Sequence, residues 1–331
     1  MGSTTGKADY TGLLAIGDPH VEGKVPGFRK DDYPQVVLDK LAWCLAYAEE
    51  HRLLPALLGD LFHLPRNNPN WLIGELIEVL GEQNVIGIFG NHDTADPALS
   101  EHDSFSLLIK SGRISLVDAD EPWVGLMNGR TVVVGGSSYR ERVPAAFLEN
   151  AAGSENGSRI VFWLTHHDIG VPGYEEQARF GPHEIPGIDV VINGHIHRHL
   201  ETVEKGGTSW LTPGNISRRS RSDAVREHVP SALRIDVAEG GWRATHIEIP
   251  HRPFDEVFHE AVTEAAMDTS ESAFVAGLAE LQARKTESGA GFMEFIDKNL
   301  DQFDEQIAAE ILVLAKEVTK DVQSGDGNTV D

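Results

Sequence analysis

Cysteine is nearly absent from this chain of 331 residues, in which Cys44 is the single example. A disulfide within the chain is therefore impossible, which excludes the small secreted domains that depend on a disulfide framework. Cys44 stands in an apolar run, where we expect a buried small side chain rather than a reactive thiol. The sequence also lacks the apolar core of a secretory signal and the ~20-residue apolar stretch of a membrane-spanning helix. We therefore expect a soluble, cytoplasmic protein that does not bind membranes.

Basic residues are scarce, because 28 lysines and arginines stand against 52 aspartates and glutamates, for a formal net charge of −24. Proteins that bind nucleic acid or anionic membranes through phosphates present a basic face. In this protein a basic face can cover only a small part of the surface, because acidic residues predominate in the chain as a whole. Residues 251–331 hold 18 acidic and 6 basic residues, which is half of the net charge.

Apolar runs alternate with helical patterns over the first third of the chain, which predicts βαβ units and a mainly parallel sheet. The predicted order is strand 13–16, helix 34–51, strand 53–58, helix 71–80 and strand 85–89. Strands dominate from residue 114 to 250, and a helical, acidic pattern follows. We predict a main domain at 8–251, an acidic helical extension at 252–320 and a disordered tail at 321–331.

Polar side chains of the kind that bind metals follow five of the predicted strands. They are Asp18 and His20, Asp60 and His63, Asn91 to Asp93, His166 and His167, and His195 and His197. Because sites in open α/β sheets form at the carboxyl ends of strands, we expect these side chains to meet. Carboxylates, imidazoles and one amide suit manganese, iron or zinc. A carboxylate such as Asp60 can bridge two ions about 4 Å apart.

The motifs around these residues resemble those of the calcineurin-like metallophosphoesterases. In chain order they are Asp18-x-His20, Gly59-Asp60-x-x-His63, Gly90-Asn91-His92-Asp93, His166 and Gly194-His195-x-His197. The resemblance covers about residues 10 to 250. It implies an α/β fold, an αββα sandwich of two packed sheets flanked by helices, with a dinuclear metal site at one edge. The helical segment after residue 251 would be a C-terminal extension of that fold.

The resemblance also implies which side chains hold two divalent ions, with manganese expected and iron or zinc as alternatives. Asp60 would bridge the ions, with Asp18, His20 and His197 on the first, and Asn91, His166 and His195 on the second. The family has one histidine after the fourth strand, whereas this chain has two. We expect His166, which directly follows the apolar run and Thr165, and keep His167 as the alternative.

The chemistry expected of such a site is hydrolysis of a phosphodiester bond. Two cations lower the pKa of a bridging water from about 15.7 to near 7, and the resulting hydroxide attacks phosphorus. A protein nucleophile is then unnecessary. His92, beside Asn91, is the expected group for stabilising or protonating the leaving group, and Asp93 would orient and charge its imidazole.

Within the superfamily, the pentapeptide Gly59–His63 and the later Gly90–Asp93 are similar to those of SbcD-type DNA-repair exonucleases. In those enzymes the histidine at the place of His63 helps to orient the phosphate. The stretch 212–218 is similar to their late loop, so Asn215 and Arg218 are expected to bind substrate. This resemblance implies DNA as the substrate, in recombination or repair. A local basic patch could assist, with a solvated loop as the alternative, and its arginines are Arg218, Arg219, Arg221 and Arg226.

The segment after residue 251 departs from the SbcD-type pattern, which has an α/β capping domain there. Its helices could dock an SbcC-type ATPase or pack on the main domain, and the resemblance also implies a homodimer. Two other functions stay open. One is a phosphodiesterase or phosphatase for small-molecule or protein phosphoesters, which suits the acidic surface. The other is a non-catalytic scaffold of the same fold, which should lack metal ligands.

Overall fold

Residues 10–147, 159–176, 178–221 and 226–259 are described by a computed structural model, in which they form two six-stranded sheets. The first sheet has the order β12-β11-β1-β2-β3-β4. Its strands are β1 (Gly12–Ile16), β2 (Leu53–Leu57), β3 (Val85–Gly87), β4 (Ile114–Leu116), β11 (Ser231–Ala238) and β12 (Gly241–Glu248). Strands β1 to β4 are parallel, and β11 runs antiparallel to β1.

The second sheet has the order β5-β6-β7-β8-β10-β9. Its strands are β5 (Trp123–Met127), β6 (Arg130–Ser137), β7 (Arg159–Thr165), β8 (Val190–Asn193), β9 (Leu200–Lys205) and β10 (Thr208–Thr212). The four central strands are parallel, and β5 and β9 are antiparallel edge strands. Both sheets therefore have parallel strands whose carboxyl ends can supply one common site.

The two sheets pack face to face through a shared apolar core. Leu13 and Leu54 of the first sheet belong to the same buried cluster as Phe162 and Val190 of the second. The other face of the first sheet is covered by helices α1 (Tyr33–Glu50), α2 (Asn70–Leu80) and α3 (Ser104–Lys110). Within the described residues, the outer face of the second sheet is covered by loop residues such as Ile169 and Ile185. The predicted α/β two-sheet sandwich is confirmed.

Helix α1 shows how the sequence determines this packing. Asp32 caps its start by accepting a hydrogen bond from the backbone N–H of Gln35, and Pro34 occupies the first turn, where it costs no hydrogen bond. Residues at helical spacing on one face, among them Leu41 and the buried Cys44, pack onto the first sheet. The expectation of a buried, small side chain at Cys44 is thus confirmed.

Three short elements lie outside the predicted ones, namely β5, β9 and α3. Strands β5 and β9 are sheet edges whose residues are mostly half-buried or exposed, so they lack the buried apolar runs that identified the central strands. Helix α3 has only seven residues, too few for a clear helical period. No helix in the described ranges is long and apolar enough to cross a membrane.

The predicted extension at 252–320 and the predicted tail at 321–331 lie, from residue 260 onward, outside the described residues. The docking of an SbcC-type ATPase by those helices therefore stays a prediction. The described part of this segment forms α4 (Phe254–Val257), a single helical turn. The guanidinium of Arg29 lies 4.9 Å from the ring centroid of Phe258, so this turn packs against the main domain.

Candidate metal centre

The predicted ligand residues all lie just past the carboxyl ends of strands, where the chain turns sharply. Glycine is required at Gly59, which has a φ of +93°, because an added Cβ would lie 2.6 Å from Nδ1 of His166. Several of the ligand residues themselves have left-handed backbone conformations, which are costly for side-chain-bearing residues and concentrate at functional sites. Their φ values are 40° at Asp18, 50° at His20, 48° at Asp60 and 70° at His195.

Asp18, His20, Asp60 and His197 form a first group that could hold a metal ion. Nε2 of His20 lies 2.9 Å from Nε2 of His197 and 3.6 Å from Oδ2 of Asp60. Oδ1 of Asp18 lies 3.9 Å from Nε2 of His197. Two ligands that bind one ion at about 2.0–2.1 Å are separated by about 2.9 Å at a right angle and by up to about 4.2 Å on opposite sides, so this spacing fits a shared cation.

A second group consists of Asp60, His166 and His195, and Asn91 joins it. Nε2 of His166 lies 3.4 Å from Oδ2 of Asp60 and 3.1 Å from Oδ1 of Asn91. Oδ1 of Asn91 also lies 3.0 Å from Nδ1 of His195. Asp60 belongs to both groups, and the same Oδ2 faces His20 and His166. A bridging carboxylate between two ions needs this arrangement.

Hydrogen bonds from outside the cluster orient its two inner imidazoles. Nδ1 of His166 lies 2.7 Å from the carbonyl oxygen of Leu58, and Nε2 of His195 lies 2.8 Å from Oδ1 of Asp168. A ring nitrogen that donates to such a partner is protonated, which leaves the other nitrogen as a lone-pair ligand. Nε2 of His166 and Nδ1 of His195 are therefore the coordinating atoms, and both face Asn91.

The buried carboxylates of the cluster favour the binding of cations. Asp18 is fully buried, its Oδ2 has no hydrogen-bond partner in the described residues, and burial raises its pKa to about 8. Burial acts the same way on Asp60, but the neighbouring His166 and His92 outweigh it and hold the Asp60 pKa well below its usual value. Burial opposes protonation of His166, yet the Asp60 carboxylate raises the His166 pKa to about 9. Bound divalent cations would compensate these buried carboxylates.

His63 and His92 stand beside the first group. Their rings stack with centroids 5.0 Å apart, and the His92 ring lies 4.8 Å from that of His20. Nδ1 of His92 lies 2.8 Å from the carbonyl oxygen of His63, so its Nε2 is left for proton exchange. Burial, followed by the positive charge of Arg219, lowers the pKa of His63 to about 3. His63 is therefore a neutral imidazole at physiological pH.

The structure corrects the role expected for Asp93. Its carboxylate does not meet the His92 imidazole, whose Nδ1 is bonded to the backbone of His63. Asp93 is fully buried and accepts hydrogen bonds from the backbone N–H groups of Leu61, Phe62 and Gly90. It therefore braces the turns after β2 and β3 against each other, because a buried carboxylate must be satisfied by donors. The His63 carbonyl, rather than Asp93, orients His92.

Asn215 also differs from its expected role as a substrate-binding residue. It is 4% exposed, and its backbone N–H donates to the carbonyl oxygen of His197 at 3.3 Å. With its amide nitrogen turned toward the same oxygen, the side chain donates to His197 at 3.2 Å and to the carbonyl oxygen of Ser217 at 2.7 Å. Asn215 therefore supports the loop that carries His197 and does not face a substrate.

Arg218, the other expected substrate-binding residue, is likewise committed to the protein. It is 7% exposed, and its guanidinium donates to the carbonyl oxygens of His228 at 2.8 Å and Arg252 at 3.1 Å. A buried guanidinium needs such acceptors, since burying an unpaired charge is costly. Arg218 therefore ties the late loop to the chain that follows the last hairpin of the first sheet.

The two candidate histidines after β7 point to different places. His166 is fully buried in the second ligand group, as preferred from the sequence. Nε2 of His167 instead lies 2.7 Å from the carbonyl oxygen of Glu141, and the backbone N–H of His167 donates to Oδ1 of Asn193. Burial lowers the pKa of His167 to about 4.

Sequence reasoning missed two side chains that contact the cluster. Asp168 bonds to His195, as described above. Tyr139 follows β6, and its ring stacks on that of His195 with centroids 6.4 Å apart and an interplanar angle of 26°. Both follow parallel strands of the second sheet. The rule that site residues follow such strands could have identified them, but neither belongs to a recognisable motif.

With this geometry established, comparison with known proteins identifies the family. A family model described as calcineurin-like phosphoesterase matches residues 12–199, which is more than half of the chain. The chain belongs to this family. Metal binding and hydrolysis are properties of calcineurin-like phosphoesterases, and the two ligand groups lie entirely within the matched residues.

Solved structures that are similar to this chain have low sequence identity to it. A Thermus thermophilus protein is 12% identical, with a TM-score of 0.40, covering 71% of this chain and 97% of its own. A predicted phosphoesterase of Streptococcus pneumoniae is 12% identical, with a TM-score of 0.28 and the same coverage. Vps29 of Chaetomium thermophilum is 12% identical, with a TM-score of 0.28, covering 72% of this chain and 97% of its own. No curated protein matches the chain.

Proposed function

We propose that this calcineurin-like phosphoesterase uses two divalent ions, manganese in the first instance, to hydrolyse phosphodiester bonds in DNA. The observation that carries the proposal is the pair of ligand groups that share Asp60. Asp18, His20 and His197 would hold one ion, and Asn91, His166 and His195 the other. A non-catalytic scaffold would have no need for such a set of buried, converging donors.

The residues of the chain have separate tasks in this reaction. The bound cations would supply Lewis-acid activation of water and neutralise charge on the phosphoryl oxygens. His92, with Nδ1 held by the carbonyl of His63, would use its Nε2 to stabilise or protonate the leaving oxygen. His63 stacks beside it as a neutral imidazole and would donate a hydrogen bond to the phosphate.

Two observations support DNA as the substrate, namely the motif resemblance and the position of His63 beside His92. The resemblance of Gly59–His63 to SbcD-type exonucleases concerns the segment that brings His63 beside His92. This position suits a group that orients a phosphodiester before the leaving oxygen is protonated. A nuclease in recombination or repair is accordingly the function we favour.

A second candidate is a phosphodiesterase or phosphatase that acts on small-molecule or protein phosphoesters. It is favoured by the net charge of −24 and by the engagement of the late-loop arginines within the protein. Arg218 binds backbone carbonyls, while Arg221 and Arg226 lie over the aromatic rings of Phe28 and Phe254. The basic patch expected from the sequence is thereby reduced, which weakens general attraction to a polyanion.

The decisive experiment gives the manganese-loaded protein linear double-stranded DNA, single-stranded DNA and bis-p-nitrophenyl phosphate in parallel. We expect degradation of DNA and turnover of the small ester, and neither with Asp60→Asn, which removes the bridging charge. Turnover of the small ester without DNA degradation would favour the second candidate. Absence of all turnover, together with fewer than two metal ions per chain, would revive the scaffold.

A further inference from the structure

The four arginines of the late loop differ in what they contact. Arg218 is buried against backbone carbonyls. Nη1 of Arg221 donates to the carbonyl oxygen of His259 at 3.0 Å, and Arg226 donates to Oδ1 of Asp255 at 2.7 Å, so both face the segment around α4. Arg219 alone among these four turns toward the metal-ligand loops. It is therefore the one arginine of the loop that is placed to meet a substrate.

Arg219 is held beside the metal centre by Glu22. Nε of Arg219 lies 3.0 Å and its Nη2 lies 2.9 Å from the same oxygen, Oε2 of Glu22. Glu22 stands two residues after His20, and the chain there runs alongside the segment before His63. The backbone N–H of His63 donates to the carbonyl oxygen of Val21 at 2.9 Å. The Glu22–Arg219 pair therefore lies near His63, and the charge of Arg219 contributes to the lowered pKa of that imidazole.

The guanidinium keeps donors for a ligand. Glu22 takes the edge formed by Nε and Nη2, and no acceptor in the described residues lies within hydrogen-bond distance of Nη1. The Arg219 side chain is 28% exposed, while that of Glu22 is 12% exposed, so the pair opens to solvent on the arginine side. A guanidinium fixed along one edge and open on the other suits an anionic oxygen.

The backbone just before Arg219 is held by hydrogen bonds from two buried basic side chains. Nζ of the buried Lys40 donates to the carbonyl oxygen of Ile216 at 3.1 Å. Arg29, itself bound by both oxygens of Asp31, donates to the carbonyl oxygen of Arg218. Because buried cations hold the loop on its inner side, the ordering of Arg219 is largely complete before a ligand arrives.

We propose that Arg219 binds a second phosphate of the substrate, next to the one that is hydrolysed. Within the described residues the polar contact of Arg219 is with Glu22 and not with any of the seven metal-ligand residues, while its charge acts on His63 beside the first group, so a phosphate next to the scissile one is within its range. The inference rests on the proposed hydrolysis of phosphodiesters. It makes the preferred substrate one with at least two linked phosphates, such as an oligonucleotide, rather than an ester with a single phosphate.

Dinucleotides that differ by one terminal phosphate test this directly. Hydrolysis of TpT, pTpT and TpTp is compared for the manganese-loaded wild type, Arg219→Ala, Arg219→Lys and the matched control Arg226→Ala. We expect the wild type to prefer one phosphorylated dinucleotide over TpT by about tenfold in kcat/KM, because a charge-assisted hydrogen bond is worth that much or more. The preference, residing in KM, should vanish in Arg219→Ala, return in part in Arg219→Lys and persist in Arg226→Ala.

Equal use of all three dinucleotides by the wild type, or a preference that survives Arg219→Ala, would overturn the proposal. Wild-type turnover of bis-p-nitrophenyl phosphate, measured alongside, reports separately on the proposed hydrolysis. If no ester is hydrolysed, anisotropy of a fluorescein-labelled single-stranded oligonucleotide in EDTA gives the answer. There the slope of log affinity against log salt should fall by about 0.7 in Arg219→Ala, the value for one phosphate contact with a single strand, and not in Arg226→Ala. An unchanged slope would likewise overturn the proposal.

Discussion

Oδ1 of Asp168 lies 2.8 Å from Nε2 of His195, and this contact sets which ring nitrogen of His195 faces the second ligand group. Asp168 is itself fixed, because the hydroxyl of Tyr174 donates to the same oxygen at 3.1 Å and Arg179 lies 3.3 Å from the other. A carboxylate behind a histidine raises the basicity of the coordinating nitrogen and fixes the ring orientation. Asp168 is thus a positioning residue for the metal that His195 would bind.

Asp168→Asn should weaken binding of one of the two metal ions by about 10–100-fold. The amide keeps the shape of the carboxylate but loses the charge that favours Nδ1 as the ligand of His195. Metal titration by calorimetry, with metal content after dialysis, would show one weakened site and one unchanged site. Glu175→Gln in the same loop is the matched control, since among the described residues its carboxylate accepts a hydrogen bond from the backbone N–H of Gly173. Two full-affinity sites in Asp168→Asn would contradict this role.

Gly90 is the glycine on which the bridging carboxylate depends. A Cβ at this position would overlap Oδ1 of Asp60 and lie 2.7 Å from Cε1 of His166. Gly90→Ala should therefore displace Asp60, with loss of metal binding and about 1–3 kcal/mol of stability. Metal content and urea unfolding would measure the two effects.

Gly74 provides the contrasting substitution, because it lies within α2 and an added Cβ would meet nothing within 4 Å. Gly74→Ala should keep both metals and raise the free energy of unfolding by about 0.5–1 kcal/mol, since alanine loses less backbone entropy in a helix. If Gly90→Ala behaved like Gly74→Ala, Asp60 would not need the close approach that the structure gives it.

The sequence could predict that these side chains meet because each of them follows an apolar run at a strand end. A buried parallel strand is recognisable from its length and composition, and the residues after it must lie at the sheet edge where other strand ends meet. Asp60 illustrates this, since it comes three residues after the end of β2 and meets His20 and His166, which follow β1 and β7. Because the strand ends lie close together, the sequence can predict that these residues meet without predicting where each side chain points.

The sequence could not predict the direction in which each side chain points. Asp93 and Arg218 stand next to functional motifs, yet both point into the protein and bind backbone groups. Whether a charged residue turns inward depends on distant backbone atoms, such as the carbonyl of Arg252, that only the folded chain brings near. Arg219, one residue beyond Arg218, turns the other way toward Glu22. Neighbouring residues of the same type thus acquire opposite roles from tertiary contacts.

Asp18 should make the metal-free protein less stable as pH rises. Burial raises its pKa to about 8 in the folded state, whereas an unfolded aspartate has a pKa near 3.9. The folded state therefore keeps a proton that the unfolded state has lost, and the stability this gives is present at low pH and disappears as pH rises through 8. Asp18→Asn lacks this titration. In EDTA, the unfolding free energy of Asp18→Asn relative to wild type should rise with pH, by up to about 1.4 kcal/mol per unit between pH 5.5 and 8.

Taking the difference between two proteins cancels the titration of groups that do not interact with Asp18. Asp93, whose pKa burial raises to about 7, repels Asp18, so the pH dependence of the difference belongs to the two carboxyl groups together. The exposed Asp39→Asn on α1 gives the background for replacing a carboxylate. Adding manganese should stabilise the wild type more than Asp18→Asn and so make the wild type the more stable of the two, because the ion needs the ionised carboxylate. If the difference in unfolding free energy between the two proteins in EDTA did not depend on pH, the pKa of Asp18 would not be raised in the folded state.

His92→Ala should keep both metals and lose about 10²–10⁴ in kcat on a phosphodiester. The imidazole is held at Nδ1 by the carbonyl of His63, so its removal takes away a proton donor without taking away a ligand. The backbone N–H of His92 still donates to Oδ1 of Asp60, which preserves the bridging carboxylate. Metal content and steady-state rates of the two proteins separate these effects. His167→Ala is the comparison, since that ring is bonded to the carbonyl of Glu141 and should be dispensable for both. Full activity in His92→Ala would remove it from proton transfer, and metal loss in His167→Ala would return that histidine to the ligand set.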